Sequence, residues 1–176
     1  PFVSMNVTGD LTLKDSNPSA EHRFYNYYGT NLLILDEESG DRVINGGIIT
    51  NLGIYIDGGS LKIDGGSIVG CQGGAGAVEV RDKGALTMNA GMIIGCYSSG
   101  AGALYVSNST FTMTGGCIKE SSANSVDDGA AIIGPNAVMN ANGGEVSGLV
   151  VVEDGSKITC KDDLTGGTGF NGEIRV

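Results

Sequence analysis

Apolar and polar residues alternate in short runs along this chain, and the runs recur. In 77–96, Val78 and Val80 flank Glu79, Leu86 and Met88 flank Thr87, and Met92, Ile93 and Ile94 follow the small pair Ala90-Gly91. A period of two is the signature of half-buried strands. The same order of strand, polar turn, second strand, small pair and apolar stub can be laid over 53–71, 103–121, 131–148 and 150–167. The small pair falls at Gly65-Gly66, Ala90-Gly91, Gly115-Gly116 and Gly143-Gly144, in steps of 25, 25 and 28 residues. A fixed period of this size marks a stacked repeat architecture.

Column by column, like falls on like. Ile54, Val78 and Leu104 coincide, as do Ile56, Val80, Val106, Ile133 and Val152. Leu61, Leu86, Phe111, Val138 and Ile158 make a second-strand column, and Ile68, Ile93, Ile118 and Val146 a third-strand one. Ile63, Met88, Met113 and Cys160 make a further apolar column, which Asn140 interrupts. Three strands in about 25 residues are too few for a hairpin core of their own. Stacking each strand on its equivalent one coil on builds a continuous core instead. Crossovers between parallel strands are right-handed. The expected fold is therefore all-β: a right-handed parallel β-helix, a solenoid of three strands and about 25 residues per coil.

The chain reads as one domain in three parts: irregular N-terminal coils or a cap over 1–52, regular repeats over 53–148 and shorter C-terminal coils over 149–176. In the first part, LTLKD (11–15) reads as a second strand. FYNYY (24–28), LLILDEE (32–38) and RVINGGIIT (42–50) read as one long coil with Gly46-Gly47 in the small-pair column. The terminal GEIRV reads as the first strand of another coil, so further domains of a longer polypeptide are expected partners.

The stretch GALYVSNSTFTMTGGCIKES, with its x-Tyr-Val strand, Phe-Thr-Met strand and Gly-Gly-x-Ile stub, resembles the repeat of bacterial surface β-helix proteins. That family is similar in architecture to the pectate-lyase-like superfamily. The resemblance covers about residues 53–148 and implies an exported, cell-surface or host-contact protein, often one module of an adhesin-like polypeptide. In such repeats the stub ends in Gly-Asn; here Gly70-Cys71, Gly95-Cys96 and Glu120-Ser121 stand in that place.

Composition narrows the function classes. Glycine is abundant, at 31 of 176 residues, but 40% of residues are hydrophobic and lie in register, which disorder does not permit. A net charge of −10 with scattered basic residues argues against nucleic acid and anionic membrane surfaces as partners. No run of 18 apolar residues exists, so no membrane insertion by a helix is expected. The chain opens on Pro1, which reads as a mature or trimmed end.

Candidate chemistry is sparse. Cys71 and Cys96 share a column in neighbouring coils; they read as buried thiols, with a bridge between them as the alternative. No metal site is expected, since no Cys-x-x-Cys or Cys/His pair has ligand spacing. No cofactor is expected either: the glycine-rich GGAGAVEV does not run from a strand into a helix with the lysine a phosphate loop needs. His22, the single histidine, lies in EHRFYNYY away from any nucleophile. Phe24, Tyr25, Tyr27 and Tyr28 read as a cap or core cluster. Asn6-Val7-Thr8 and Asn108-Ser109-Thr110 are glycosylation sequons. Outward Thr12, Thr87, Thr112 and Thr159 resemble the threonine arrays of ice-binding solenoids, but Lys62 and Met139 break the column and a second one is missing.

The outward columns of the first strand hold the remaining interest. Tyr55, Glu79, Tyr105, Ile132 and Val151 form one column, and Asp57, Arg81, Ser107, Gly134 and Glu153 the next. Tyr55, Asp57, Glu79, Arg81 and Tyr105 are the candidate binding face, with tyrosines for sugar rings and carboxylates for sugar hydroxyls. If the protein were an enzyme, Glu79 and Asp57 would be its acid pair, at a separation of about 5–9 Å. Asn-Thr-Asp, Gly-His-Gly and Arg-x-Lys motifs of polygalacturonase-like enzymes are absent as a set, and Asp162-Asp163 is a doublet without a histidine. The leading expectation is a non-enzymatic extracellular or cell-surface adhesin module that binds a glycan or a host surface protein. The alternatives are a polysaccharide-degrading enzyme, or a relic of one, and a structural spacer without a ligand.

Overall fold

The computed structural model describes residues 42–50, 52–119, 121–123 and 130–160, together with the backbone of strands Ser4–Val7, Leu11–Lys14, Arg23–Tyr25, Asn31–Leu35, Phe170–Asn171 and Ile174–Arg175. The chain is an all-β parallel solenoid, with no helix among the described residues. Its eight-stranded first sheet runs Ser4–Val7, Asn31–Leu35, Leu52–Asp57, Val78–Arg81, Leu104–Val106, Ala131–Ile133, Val150–Val152 and Ile174–Arg175. The seven-stranded second sheet runs Leu11–Lys14, Arg42–Asn45, Ser60–Ile63, Ala85–Met88, Thr110–Met113, Val138–Ala141 and Lys157–Cys160. The seven-stranded third sheet runs Arg23–Tyr25, Ile48–Thr50, Ser67–Val69, Met92–Ile94, Cys117–Lys119, Glu145–Ser147 and Phe170–Asn171. All described pairings are parallel, each strand lying on its equivalent one coil away.

The predicted apolar columns are the core. Ile54, Val78 and Leu104 are paired in register, as are Ile56, Val80, Val106, Ile133 and Val152, and Ile68, Ile93, Ile118 and Val146. Close stacking demands glycine where strands turn. A Cβ on Gly66, whose φ is +82°, would lie 2.6 Å from the Gly46 carbonyl oxygen, against the backbone of the coil beneath.

Several expectations need correction. Phe111 pairs with Met139, not Val138, and Met139 pairs with Ile158. The turn before Val138, Gly134–Ala137, holds one residue more than Ser107–Ser109, and a one-residue slip exchanges the two faces of a strand. Met139 is therefore buried and Ala141, not Asn140, continues the Met113 column. Asn140 instead takes the outward place between Thr112 and Thr159, so it and not Met139 interrupts the threonines.

Cys160 was expected in a core column but is exposed, at the end of the last described strand of its sheet, Lys157–Cys160. The residues before 52 do not make one long coil. Arg23–Tyr25 pairs with Ile48–Thr50 in the third sheet, and Asn31–Leu35, Arg42–Asn45 and Ile48–Thr50 make a short three-strand coil in register with the next. Within that coil Arg42 takes an inward position and is only 2% exposed. Lastly, three coils carry a fourth short strand: Gln72–Gly73, Tyr97–Ser98 and Ser122–Ala123 form a small separate sheet.

Candidate functional site

Alternation along the first sheet sends Ile54, Ile56, Val78, Val80, Leu104 and Val106 inward, all buried, and Tyr55, Asp57, Glu79, Arg81 and Tyr105 to the other side. Parallel register places Glu79 between Tyr55 and Tyr105, and Arg81 beside Asp57. The five predicted residues therefore lie together on three consecutive coils, with Asp57 and Glu79 on a diagonal across adjacent ones.

Their roles differ from one another. Glu79 is only 7% exposed. Its Oε1 accepts hydrogen bonds from the Ala75 N–H at 2.6 Å and the Gly76 N–H at 3.4 Å, and its Oε2 accepts from Arg81 Nε at 3.2 Å. The carboxylate thus ties the glycine-rich turn before its own strand to the face. The Arg81 guanidinium carbon then lies 4.7 Å from the Tyr105 ring centroid, within cation–π range. A Cβ on Gly134, one coil on, would come within 3.1 Å of the Tyr105 hydroxyl oxygen, so that glycine makes room for the phenol. Glu79, Arg81 and Tyr105 form one interlocked cluster. Tyr55 remains half-buried beside it, its phenol ionisation pushed up by burial and then by Asp57, Asp82 and Glu79, with Arg81 acting the other way.

Glycoside hydrolysis needs one carboxylic acid to protonate the leaving oxygen and a second carboxylate to attack or activate water. Glu79 is covered and engaged on both oxygens, so it reaches a substrate only by releasing Ala75 and Arg81. What the arrangement offers is a fixed surface: a half-buried tyrosine, a guanidinium oriented by a buried acid, and a carboxylate at Asp57.

Sequence reading missed what lies beneath this cluster. The turn at 72–76 stacks on that at 97–101: Ser99 Oγ donates to Gly74 O at 2.6 Å, the Ala101 N–H to Ala75 O at 2.6 Å, and Ser98 Oγ to Ala75 O at 3.1 Å. The available signal was an acidic residue directly following GGAGAV. A polar ladder was missed as well. Asn89 Nδ2 donates to Asp64 Oδ1 at 2.8 Å, Thr114 Oγ1 donates to Asn89 Oδ1 at 2.7 Å, and Lys62 sits 3.1 Å from Asp64. The Asn89 hydrogen bond, with Lys62, holds the Asp64 carboxyl below its ordinary value. Its signal was the polar residue before each small pair, as in Asp64-Gly65 and Asn89-Ala90.

Where the resemblance implied a corner Asn, the stub ends carry Cys71, Cys96 and Ser121. None of Cys71, Cys96, Cys117 and Cys160 is in a disulfide. Cys71 Sγ donates to Ile49 O at 3.6 Å and Cys96 Sγ to Ile94 O at 3.5 Å. Contact with the Cys71 thiol, and then burial, pushes Cys96 strongly up, which keeps it as the unreactive thiol. Alkylation of the native protein should therefore mark Cys160 first and leave Cys71 and Cys96 unmodified until unfolding, when four groups become available. Mass spectrometry of peptides after a timed pulse checks this; early labelling of Cys96 would contradict the packing.

Among the described residues no group of three His, Cys, Asp or Glu side chains could hold a metal ion, and no helix is long and apolar enough to cross a membrane. His22, Tyr27, Tyr28, Thr8 and Asp162-Asp163 lie outside the described residues, as do the side chains of Asn6, Thr12, Phe24 and Tyr25. Phe24 shares register with the buried Ile49. Asn108 of the second sequon is exposed at a corner, with φ of 49°. Comparison with family models, with curated proteins and with solved structures found no match to this chain.

Proposed function

We propose that this chain is a non-enzymatic module of an extracellular or cell-surface polypeptide, and that its first sheet presents a rigid face to a glycan. The observation that carries the reading is the cluster of Glu79, Arg81 and Tyr105, in which the best candidate for a catalytic acid serves as a structural anchor. A surface already held by its own hydrogen bonds loses little side-chain entropy when a ligand settles on it. Tyr55 supplies apolar contact area beside polar groups that can exchange hydrogen bonds with sugar hydroxyls. A host surface protein would find the same rigid face.

The test combines binding and turnover. On a glycan array the wild-type chain should bind, and Tyr55→Ala should weaken binding by about tenfold or more, the effect of losing a central aromatic contact, with a nearly unchanged melting curve. Tyr55 is the better probe than Tyr105, whose ring is packed between Arg81 and Gly134. The wild type should release no reducing ends from any polysaccharide tested. Release that disappears with Asp57→Asn would replace this reading with the polysaccharide-degrading one.

A further inference from the structure

The charges around the first-sheet face specify what kind of glycan it admits. Arg81 is the guanidinium of the face, and it is already engaged: its Nε donates to Glu79 and its plane lies over Tyr105. Its charge is thereby offset by a neighbouring carboxylate. Asp57 stands in register with Arg81, and Asp82 follows at the exposed corner. Tyr55 thus lies in register with Glu79, two residues before Asp57 on its own strand, and Asp82 and Arg81 follow Glu79 on the next coil. Lys83 shares that exposed corner and offsets Asp82 in part. The whole chain adds a background of −10.

We propose that this face selects glycans that are uncharged or carry amino groups, and disfavours uronate, sialylated and sulfated chains. The inference rests on the glycan-face reading above and adds its specificity. A carboxylate or sulfate brought over Tyr55 meets three carboxylates, Asp57, Glu79 and Asp82, against two cations, of which the Arg81 guanidinium already serves Glu79. A neutral hexose or a hexosamine meets carboxylates at Asp57 and Asp82 that can accept O–H and N–H hydrogen bonds, together with the edge of a phenol.

The experiment uses the full chain and three immobilised probes: oligosaccharides of neutral hexose, of glucosamine and of galacturonate. Wild type should retain the first two and bind galacturonate about tenfold more weakly, as one or two like charges at contact distance dictate. Salt separates repulsion from poor fit. Raising ionic strength from about 0.01 M to about 0.15 M shortens the screening length roughly threefold or more, so galacturonate binding should strengthen while neutral binding holds. Asp82→Asn, which keeps a residue tolerant of the corner's φ of 53°, should narrow the gap by about threefold. Galacturonate binding best of the three and weakening with salt would overturn this inference and leave the glycan face standing. Retention of no probe, or retention indifferent to Tyr55→Ala, would remove the glycan face and this specificity with it.

Discussion

Phe111→Ala should cost about 3–5 kcal/mol of stability, the range for truncating a buried phenylalanine in a packed core. Phe111 is 0% exposed and sits in the second-sheet column between Leu86 and Met139. Its register partners lie one coil to either side, and in a solenoid those nearest-neighbour interfaces carry the stability. The cavity would open at the middle of the stack, where no terminal coil can fray to relieve it. Urea denaturation followed by far-ultraviolet circular dichroism measures the loss. A change below about 1 kcal/mol would mean that the column is misassigned.

Glu79→Ala should lower stability by about 2–3 kcal/mol, through groups left without partners rather than through lost apolar area. The Ala75 and Gly76 N–H groups would lose their acceptor, and Arg81 its carboxylate. The ion pair itself contributes little, since the Arg81 side chain is 34% exposed and solvent screens it. The orphaned backbone donors dominate. Glu79→Gln should fall between: its amide oxygen can still accept from Ala75, but its NH2 group meets Arg81 Nε donor to donor. Hydrogen exchange at Ala75 and Gly76 should quicken in both variants, while the Phe111 amide keeps its protection. A variant of unchanged stability and exchange that loses glycan binding would assign Glu79 to the ligand instead of to the turn.

The repeat period, the parallel stacking and nearly every inward residue of the first and third sheets were legible in the amino-acid sequence. Inward positions recur because each must meet its own kind one coil on, and glycine recurs at the close approach because a Cβ has no space there. That logic reaches as far as local alternation does. It placed Tyr55, Asp57, Glu79, Arg81 and Tyr105 on one face correctly, because side-chain direction follows from strand parity.

Three things were settled only in three dimensions. Parity resets at every turn, so one extra residue in Gly134–Ala137 moved Met139 inward and Val138 out of the Phe111 column. Ordinary columns give no warning of a charged residue on the core side, and Arg42 sits there at 2% exposure. Above all, the spacing of Glu79 cannot tell a carboxylate aimed at solvent from one folded back onto the amides of Ala75 and Gly76. Outward is a property of the strand. Whether an outward group is available to a ligand depends on which neighbouring turn satisfies its hydrogen bonds first, and only the stacked coils decide that.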